Sequence, residues 1–171
     1  MADIRDVRSF DYVNHPYDAV REVLTSDAGA VFREATRAAT DRARSVASEL
    51  RVRIGGIDVA KEIEISVDRV EDVERGPTSG PATRIHLSWE AAEKPGLFPF
   101  MHAILSVYPL TSTETQLDFS GRYEPPLGPL GKAIDAALGH RIAEASVHRF
   151  VRDVAHHLRE TLGSTASAPT A

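Results

Sequence analysis

The chain of 171 residues is predicted to adopt an α+β fold, in which a curved antiparallel sheet of six or seven strands wraps around a long C-terminal helix. Apolar and polar residues alternate with a period of two in the middle of the chain, which indicates half-buried strands. The last part of the chain instead repeats its apolar residues with the helical period. Because strands with one polar face need cover on the other, we expect the terminal helix to provide it.

The first elements are predicted to be one strand followed by two short helices. The stretch IRDVRSFDYVN (residues 4–14) reads as the strand, and Pro16 suits the first turn of the next helix, where its missing N–H has no partner in any case. The stretch DAGAVFREATRAATDRARS (residues 27–45) is rich in helix formers and predicts the second helix.

The remaining strands are predicted from alternation and turn signals. Gly55 and Gly56 mark a hairpin between two arms within residues 49–67. Further strands are expected at residues 82–90, 101–110 and 112–124. The second of these is apolar on both faces, which predicts a central position in the sheet.

Composition excludes several classes of protein. The net charge of −5 argues against a nucleic-acid surface, and no apolar window is long enough to span a membrane. The chain has no cysteine and no apolar leader at its start, which suits a cytoplasmic protein. We expect one domain over residues 1–162 and a disordered tail, GSTASAPTA, over residues 163–171.

The terminal helix carries an apolar stripe whose side chains are small at the N-terminal end and bulky at the C-terminal end. Because small side chains leave space, we expect a cavity beneath the N-terminal half, with His140 facing it. A second apolar stripe on the opposite side predicts cover by the early helices or by a second copy in a homodimer. The first stripe comprises Ala133, Ala136, His140, Ala143, Val147, Phe150, Val151, Val154 and Leu158, and the second Ile134, Leu138, Ile142 and Ala145.

Residues from other parts of the chain are predicted to line this cavity with Ala136, His140 and Ala143. The apolar segment EKPGLFPF resembles a lid, because Gly96 permits movement and aromatic residues surround it. Tyr123 lies on the apolar face beside the helix start, where its hydroxyl and His140 could orient a ligand's polar group. For each aromatic residue, ordinary core packing is the alternative. The predicted lining residues in and around this segment are Trp89, Phe98, Phe100 and Met101.

The segment PLGPLGK before the helix is not expected to bind phosphate. A phosphate-binding loop would need a glycine where Pro126 stands and a hydroxyl where Ala133 stands. Pro129 also removes a backbone N–H from such a loop, although it suits a first helical turn. The segment therefore predicts a turn that launches the helix.

Two other residue sets suggest chemistry but have simpler interpretations. His140, Glu144 and His148 follow the i, i+4, i+8 spacing of a metal site, but no second element supplies a ligand, so we expect no metal and no cofactor. A catalytic set of His86, Ser88 and Asp118 is disfavoured because these residues lie on the polar face of the strands. His102, in the doubly apolar strand, is expected in the core or the cavity.

The layout resembles the helix-grip fold of the START/SRPBCC superfamily, also called Bet v 1-like, which includes polyketide cyclase/dehydrase-like proteins. Three stretches carry the resemblance, and together they reach across nearly the whole chain. The pattern G-x-Y-x-P-P-x-G at residues 121–128 is similar to uncharacterised bacterial members. The stretches are SFDYVNHPYDAVREVLTS, WEAAEKPGLFPFMHAILSVYPL and TQLDFSGRYEPPLGPLGKAIDAALGHRIAEASVHRFVRDVAHHL.

The resemblance implies a hydrophobic cavity between the sheet and the long helix. Some relatives bind lipids or sterols, and others cyclise polyketides; no distinctive active-site set of the cyclases matches this chain position by position. We therefore expect a protein that binds a small hydrophobic or amphipathic, lipid- or polyketide-like ligand. The alternatives are a polyketide cyclase/dehydratase with His140 as general acid/base and Tyr123 as proton donor, and a filled cavity on a protein-interaction module.

Overall fold

The computed structural model describes residues 4–26, 31–33, 35, 37, 63–91, 100–123 and 136–166. Residues 31–33, 35 and 37 are helical, in line with the second predicted helix. The other described elements are strand β1 (Arg5–Val13), helix α1 (Tyr17–Ser26), strands β2 (Ile63–Val73), β3 (Ala82–Ala91), β4 (Met101–Pro109) and β5 (Thr115–Tyr123), and helix α2 (Ala136–Ala166).

The strands form a single antiparallel sheet in the order β1-β5-β4-β3-β2 among the described residues. The predicted central strand, β4, does lie at the centre of this order. The prediction of six or seven strands is wrong for this part of the chain, which has five. The additional predicted strand is the first arm of the hairpin expected at Gly55 and Gly56, and this arm and the turn lie outside the described residues. The second arm is described from Ile63 onward.

The inner face of the sheet is apolar because the strands alternate. On β4 and β5 the inner residues are buried, whereas most of their neighbours are partly or fully exposed. A β-bulge in β2 between Val67 and Arg69 changes the pairing register with β3, a feature that bends and twists a strand locally. The buried inner residues of β4 and β5 are Met101, Ala103, Leu105, Val107, Thr115, Leu117, Phe119, Gly121 and Tyr123.

Helix α2 packs its bulky side chains on this inner face, as the stripe in the sequence predicts. The ring of Phe150 lies 5.5 Å from the ring of Trp89 and 6.1 Å from that of Phe119, both at steep interplanar angles. Phe150 also stacks on Phe32, at 5.9 Å between ring centroids. The other buried members of the stripe are Val147, Val151, Val154 and Leu158.

Helix α1 is attached to one end of the sheet by a chain of polar contacts. Thr83 Oγ1 donates a hydrogen bond to Asp72 Oδ1 at 2.7 Å, so Tyr17 O–H donates to the same Thr83 oxygen, also at 2.7 Å. Arg21 on α1 forms an ion pair with Asp72. These contacts connect α1 to β2 and β3.

Several predictions concern residues that the structure does not describe. Helix α2 continues to Ala166, four residues past the predicted domain boundary, and the segment PLGPLGK and residues 167–171 lie outside the described residues. Of the second apolar stripe only the side chain of Ala145 is described, and it is half-buried. The homodimer and the disordered tail therefore stay predictions.

Candidate functional site

Three of the predicted lining residues lie side by side in one row on the inner face of the sheet. Trp89 on β3 pairs with Met101 on β4, and Met101 pairs with Tyr123 on β5. Neighbouring strands are about 4.8 Å apart, so the backbones of Trp89 and Tyr123 are separated by roughly 10 Å. We call Trp89, Met101 and Tyr123 the aromatic row.

In the next row of the sheet, β4 and β5 contribute small residues. Ala103 pairs with Gly121, one step along the strands from the aromatic row. A Cβ atom on Gly121 would lie only 2.7 Å from Met101 Sδ and 3.0 Å from a ring carbon of Phe119. Glycine at this position therefore lets the Met101 side chain pack directly over β5.

A polar pair closes one end of the aromatic row. Tyr123 is buried, with 2% of its surface exposed, and its hydroxyl lies 2.9 Å from His140 Nδ1 on α2. The two rings stack at 6.3 Å with an interplanar angle of 21°. His140 Nε2 lies 3.2 Å from Glu144 Oε1, and the His140 side chain is 36% exposed.

Glu144 extends this pair into a chain of contacts from the buried phenol of Tyr123 through the imidazole of His140 to a surface carboxylate. When the imidazole is neutral with its proton on Nε2, Nε2–H donates to Glu144 and Nδ1 accepts from the Tyr123 hydroxyl. The carboxylate then fixes the tautomer and orientation of His140. The i, i+4 spacing of His140 and Glu144, noted in the sequence as a spacing of metal ligands, is also the spacing that brings these two side chains into contact.

The other end of the aromatic row holds a buried donor without an acceptor. Trp89 is fully buried, and its ring meets Phe119 edge-on at 6.1 Å as well as Phe150. Among the described residues no atom accepts a hydrogen bond from Trp89 Nε1–H. Leaving a buried donor unpaired costs about 1–3 kcal/mol, so this group marks a polar position in an apolar wall.

The other predicted ligand residues are distributed differently. Ala143 is buried on the inner side of α2, four residues before Val147. Phe100 is 44% exposed and meets the ring of His102 edge-on at 4.6 Å, so it does not join the aromatic row. Phe98 and the side chain of Ala136 lie outside the described part of the structure.

His102 corrects one of our expectations. We expected it in the core or the cavity, but it lies exposed on the outer face of the sheet, 3.5 Å from Ser88 Oγ. The reason is that the buried residues of β4 alternate from Met101 to Val107, so the intervening positions point outward. Strand β4 looked apolar on both faces because Ile104 and Tyr108 occupy outward positions.

The residue sets considered for catalysis or metal binding do not converge. His86 contacts Glu71 at 2.9 Å, which lowers the pKa of that carboxyl group, while Ser88 Oγ donates to Asp68 at 2.6 Å. His148 contacts Ser9 Oγ at 2.9 Å and lines a groove between β1 and α2, away from the aromatic row. In the described part of the chain no three potential ligands gather around a common point for a metal ion.

The fold is shared with proteins of known structure. No family model matches the chain, and no curated protein matches it in sequence. A crystal structure of the Zhui aromatase/cyclase from Streptomyces sp. R1128 is similar over 96% of this chain and 99% of that one, with 13% identity and a TM-score of 0.51. A START superfamily protein from Mycobacterium smegmatis is similar over 91% and 98%, with 12% identity and a TM-score of 0.43.

A third similar structure is a point mutant of norcoclaurine synthase from Thalictrum flavum, with 14% identity, a TM-score of 0.40 and coverage of 92% of this chain and 98% of that one. At these identities the likeness concerns the fold alone. The chain therefore shares the fold of the aromatase/cyclase structure, which agrees with the helix-grip fold that the sequence predicted. Neither α1 nor α2 is long and apolar enough to cross a membrane.

Proposed function

We propose that this chain binds a small hydrophobic or amphipathic molecule, lipid- or polyketide-like, between the aromatic row and the N-terminal half of α2. The observation that carries the proposal is the contact between Tyr123 and His140. It places a polar pair beside apolar side chains and connects a buried phenol to a partly exposed imidazole. Such a combination suits a ligand that has an apolar body and carries a polar group at the end that meets this pair.

Burial of apolar surface would supply most of the affinity, at roughly 25 cal/mol per Å² of ligand surface removed from water. Tyr123 and His140 would orient the polar end, because a phenol and a neutral imidazole each donate and accept hydrogen bonds. Ala143 is small and buried on the same helix, so the ligand body would lie against it, between the helix and the sheet.

Native mass spectrometry of the protein purified without added ligand tests the proposal, and we expect a co-purifying mass of lipid size. After extraction of that molecule, the hydrophobic dye anilinonaphthalene sulfonate should bind, and its binding should weaken in Ala143→Phe, which fills the proposed space. Ala145→Phe is the matched control, because Ala145 lies on the same helix but lines the groove beside β1.

Two results would contradict the proposal. One is the absence of both a co-purifying mass and dye binding by the folded protein. The other is equal dye affinity of folded Ala143→Phe and the parent protein. Circular dichroism of both variants establishes that a change in binding does not reflect unfolding.

A second candidate function is catalysis of the polyketide cyclase/dehydratase type. The favouring observation is the ordered contact from Glu144 through His140 to Tyr123, which resembles the carboxylate–imidazole–hydroxyl arrangement of acid/base sites. In a dehydration, His140 would take the α proton of a β-hydroxyketone, and Tyr123 would protonate the departing hydroxyl, which leaves as water.

Turnover and ligand affinity of the variant His140→Ala distinguish the two candidate functions. If the protein is an enzyme, turnover of a poly-β-ketone should fall by about 10²–10⁴-fold while binding persists. If the protein only binds, the parent should show no turnover of this substrate and the variant should lose affinity. Unchanged affinity and turnover would remove His140 from both functions.

A further inference from the structure

The unpaired donor at Trp89 restricts the chemistry of the ligand. Trp89 is fully buried, and its nearest aromatic neighbours, Phe119 and Phe150, present only ring faces and edges. Met101, next to it in the row, offers a thioether, which is a weak acceptor. Among the described residues Nε1–H therefore has no oxygen or nitrogen acceptor.

The position of this donor relative to the polar pair is also defined. Trp89 and Tyr123 belong to the same row on the inner face, two strands apart, with Met101 between them. Two strand spacings put roughly 10 Å between the backbones of Trp89 and Tyr123, and the apolar residue Met101 lies between them.

We infer that the ligand carries two oxygen functions, one at each end of an apolar middle. This inference rests on the proposed function and extends it. One oxygen function meets Tyr123 and His140, and the other, a carbonyl or ether oxygen, accepts a hydrogen bond from Trp89 Nε1–H. A molecule with a single polar end, such as a simple fatty acid, would leave the indole donor unpaired.

A matched pair of probes tests the inference. Decanoic acid has one polar end, and the keto-decanoic acid with its ketone beside the terminal methyl has the same length and a second oxygen. A neutral hydrogen bond to a buried donor should make the keto acid bind about fivefold to tenfold more tightly. Titration calorimetry on the protein freed of co-purified molecules measures both affinities.

The single tryptophan of the chain makes the readout specific. In a ¹H–¹⁵N spectrum the protein has one indole cross-peak, which belongs to Trp89. Its proton resonance should move downfield when the keto acid binds, because a new acceptor deshields the proton, and decanoic acid should not produce that movement.

Two variants show how much each end of the aromatic row contributes to the affinity for the two acids. Trp89→Phe removes the donor but keeps an aromatic ring, so the preference for the keto acid should disappear. Tyr123→Phe is the matched control: it should weaken the binding of both acids and leave their ratio unchanged. Should Trp89→Phe fail to fold, the cross-peak of the parent protein still decides the question.

The possible failures are distinguishable. If neither acid binds, the proposed function fails, and the inference fails with it. If both acids bind equally and the indole cross-peak responds to neither or to both alike, ligand binding stands but the inference is overturned. The inference is also overturned if the free protein already shows the indole proton shifted, downfield by bound water or upfield by an aromatic ring, and the keto acid does not change that shift.

Discussion

The two ends of the sheet's inner face differ in how completely their buried polar groups are paired. At the α1 end, Tyr17 and Thr83 are both buried, and their hydroxyls bond to each other and to Asp72. Thr115, also buried, donates to the backbone carbonyl of His15 at 2.8 Å. At the aromatic-row end, Trp89 Nε1–H has no acceptor among the described residues.

The difference separates polar groups that the fold itself pairs from the one that the proposed ligand would pair. At the α1 end, each of these buried hydroxyls has a partner in the chain, so the contacts stabilise the fold and need nothing further. At the aromatic-row end, the unpaired donor lowers stability by about 1–3 kcal/mol. The edge-on contacts of the indole with Phe119 and Phe150 offset part of this loss.

The largest effect is expected from Phe150→Ala, which removes the aromatic support of the row. Phe150 is fully buried and contacts Trp89, Phe119 and Phe32, so its truncation should lower the free energy of unfolding by about 3–5 kcal/mol. Urea unfolding, followed by circular dichroism, measures the change. Because Trp89 is the only tryptophan, its fluorescence reports the same transition locally.

Arg152→Ala is the control for this prediction. Arg152 is exposed on the same helix, two residues after Phe150, and its replacement should change the free energy of unfolding by no more than about 0.5 kcal/mol. A loss below about 1 kcal/mol in Phe150→Ala would show that the aromatic-row end is not held by apolar packing.

A smaller effect is expected at the α1 end from Thr83→Val, which keeps the shape and removes the hydroxyl. Thr83 both accepts from Tyr17 and donates to Asp72, so the buried Tyr17 hydroxyl loses its acceptor. We expect the free energy of unfolding to fall by about 1–3 kcal/mol, measured by urea unfolding.

The double variant Tyr17→Phe/Thr83→Val sharpens this test. Removing both hydroxyls leaves no buried donor unpaired at Tyr17, so the double variant should lose less stability than the sum of the single variants. Strict additivity would mean that the two hydroxyls do not depend on each other, and the contrast between the two ends of the sheet would weaken.

The sequence predicts which residues share a face but not which ones become neighbours. Alternation correctly placed Trp89 and Tyr123 on the apolar faces of their strands, whereas it assigned Met101 to neither face, because its strand is apolar on both. Their alignment in one row depends on the register between strands, which turns and packing determine. The absence of an acceptor for Trp89 depends on every side chain around it, and no sequence pattern encodes that.

The same reasoning succeeded and failed for the histidines. The helical period placed His140 near Tyr123, and the structure brings them into contact. For His102 the prediction was wrong, because alternation is uninformative in a strand where apolar residues occupy both faces. The burial of Met101 and Ala103 on either side decides the orientation of His102, and burial is a property of the folded sheet.

The smallest effect concerns the charge at the α1 end. The hydrogen bond from the Arg21 guanidinium, with a second from Thr83, lowers the pKa of Asp72 to about 2 from its ordinary value of 3.8. A carboxyl group with a lowered pKa stabilises the fold above its unfolded pKa, and that stabilisation is lost as the pH falls towards the folded value. Because Asp72 is half-exposed, solvent screening keeps the contribution below that of Thr83→Val.

Asp72→Asn should therefore be less stable than the parent at pH 7, and the difference should vanish between about pH 4 and pH 2. Urea unfolding of both proteins across this range measures it. Asp68→Asn is the matched control on the same strand, because Asp68 bonds Ser88 and forms no ion pair with arginine among the described residues. Glu71, whose pKa is also lowered, titrates alike in all three proteins, so the differences between them isolate Asp72. A constant difference between Asp72→Asn and the parent would mean that the hydrogen bond to Thr83, rather than the charge, attaches α1 to the sheet.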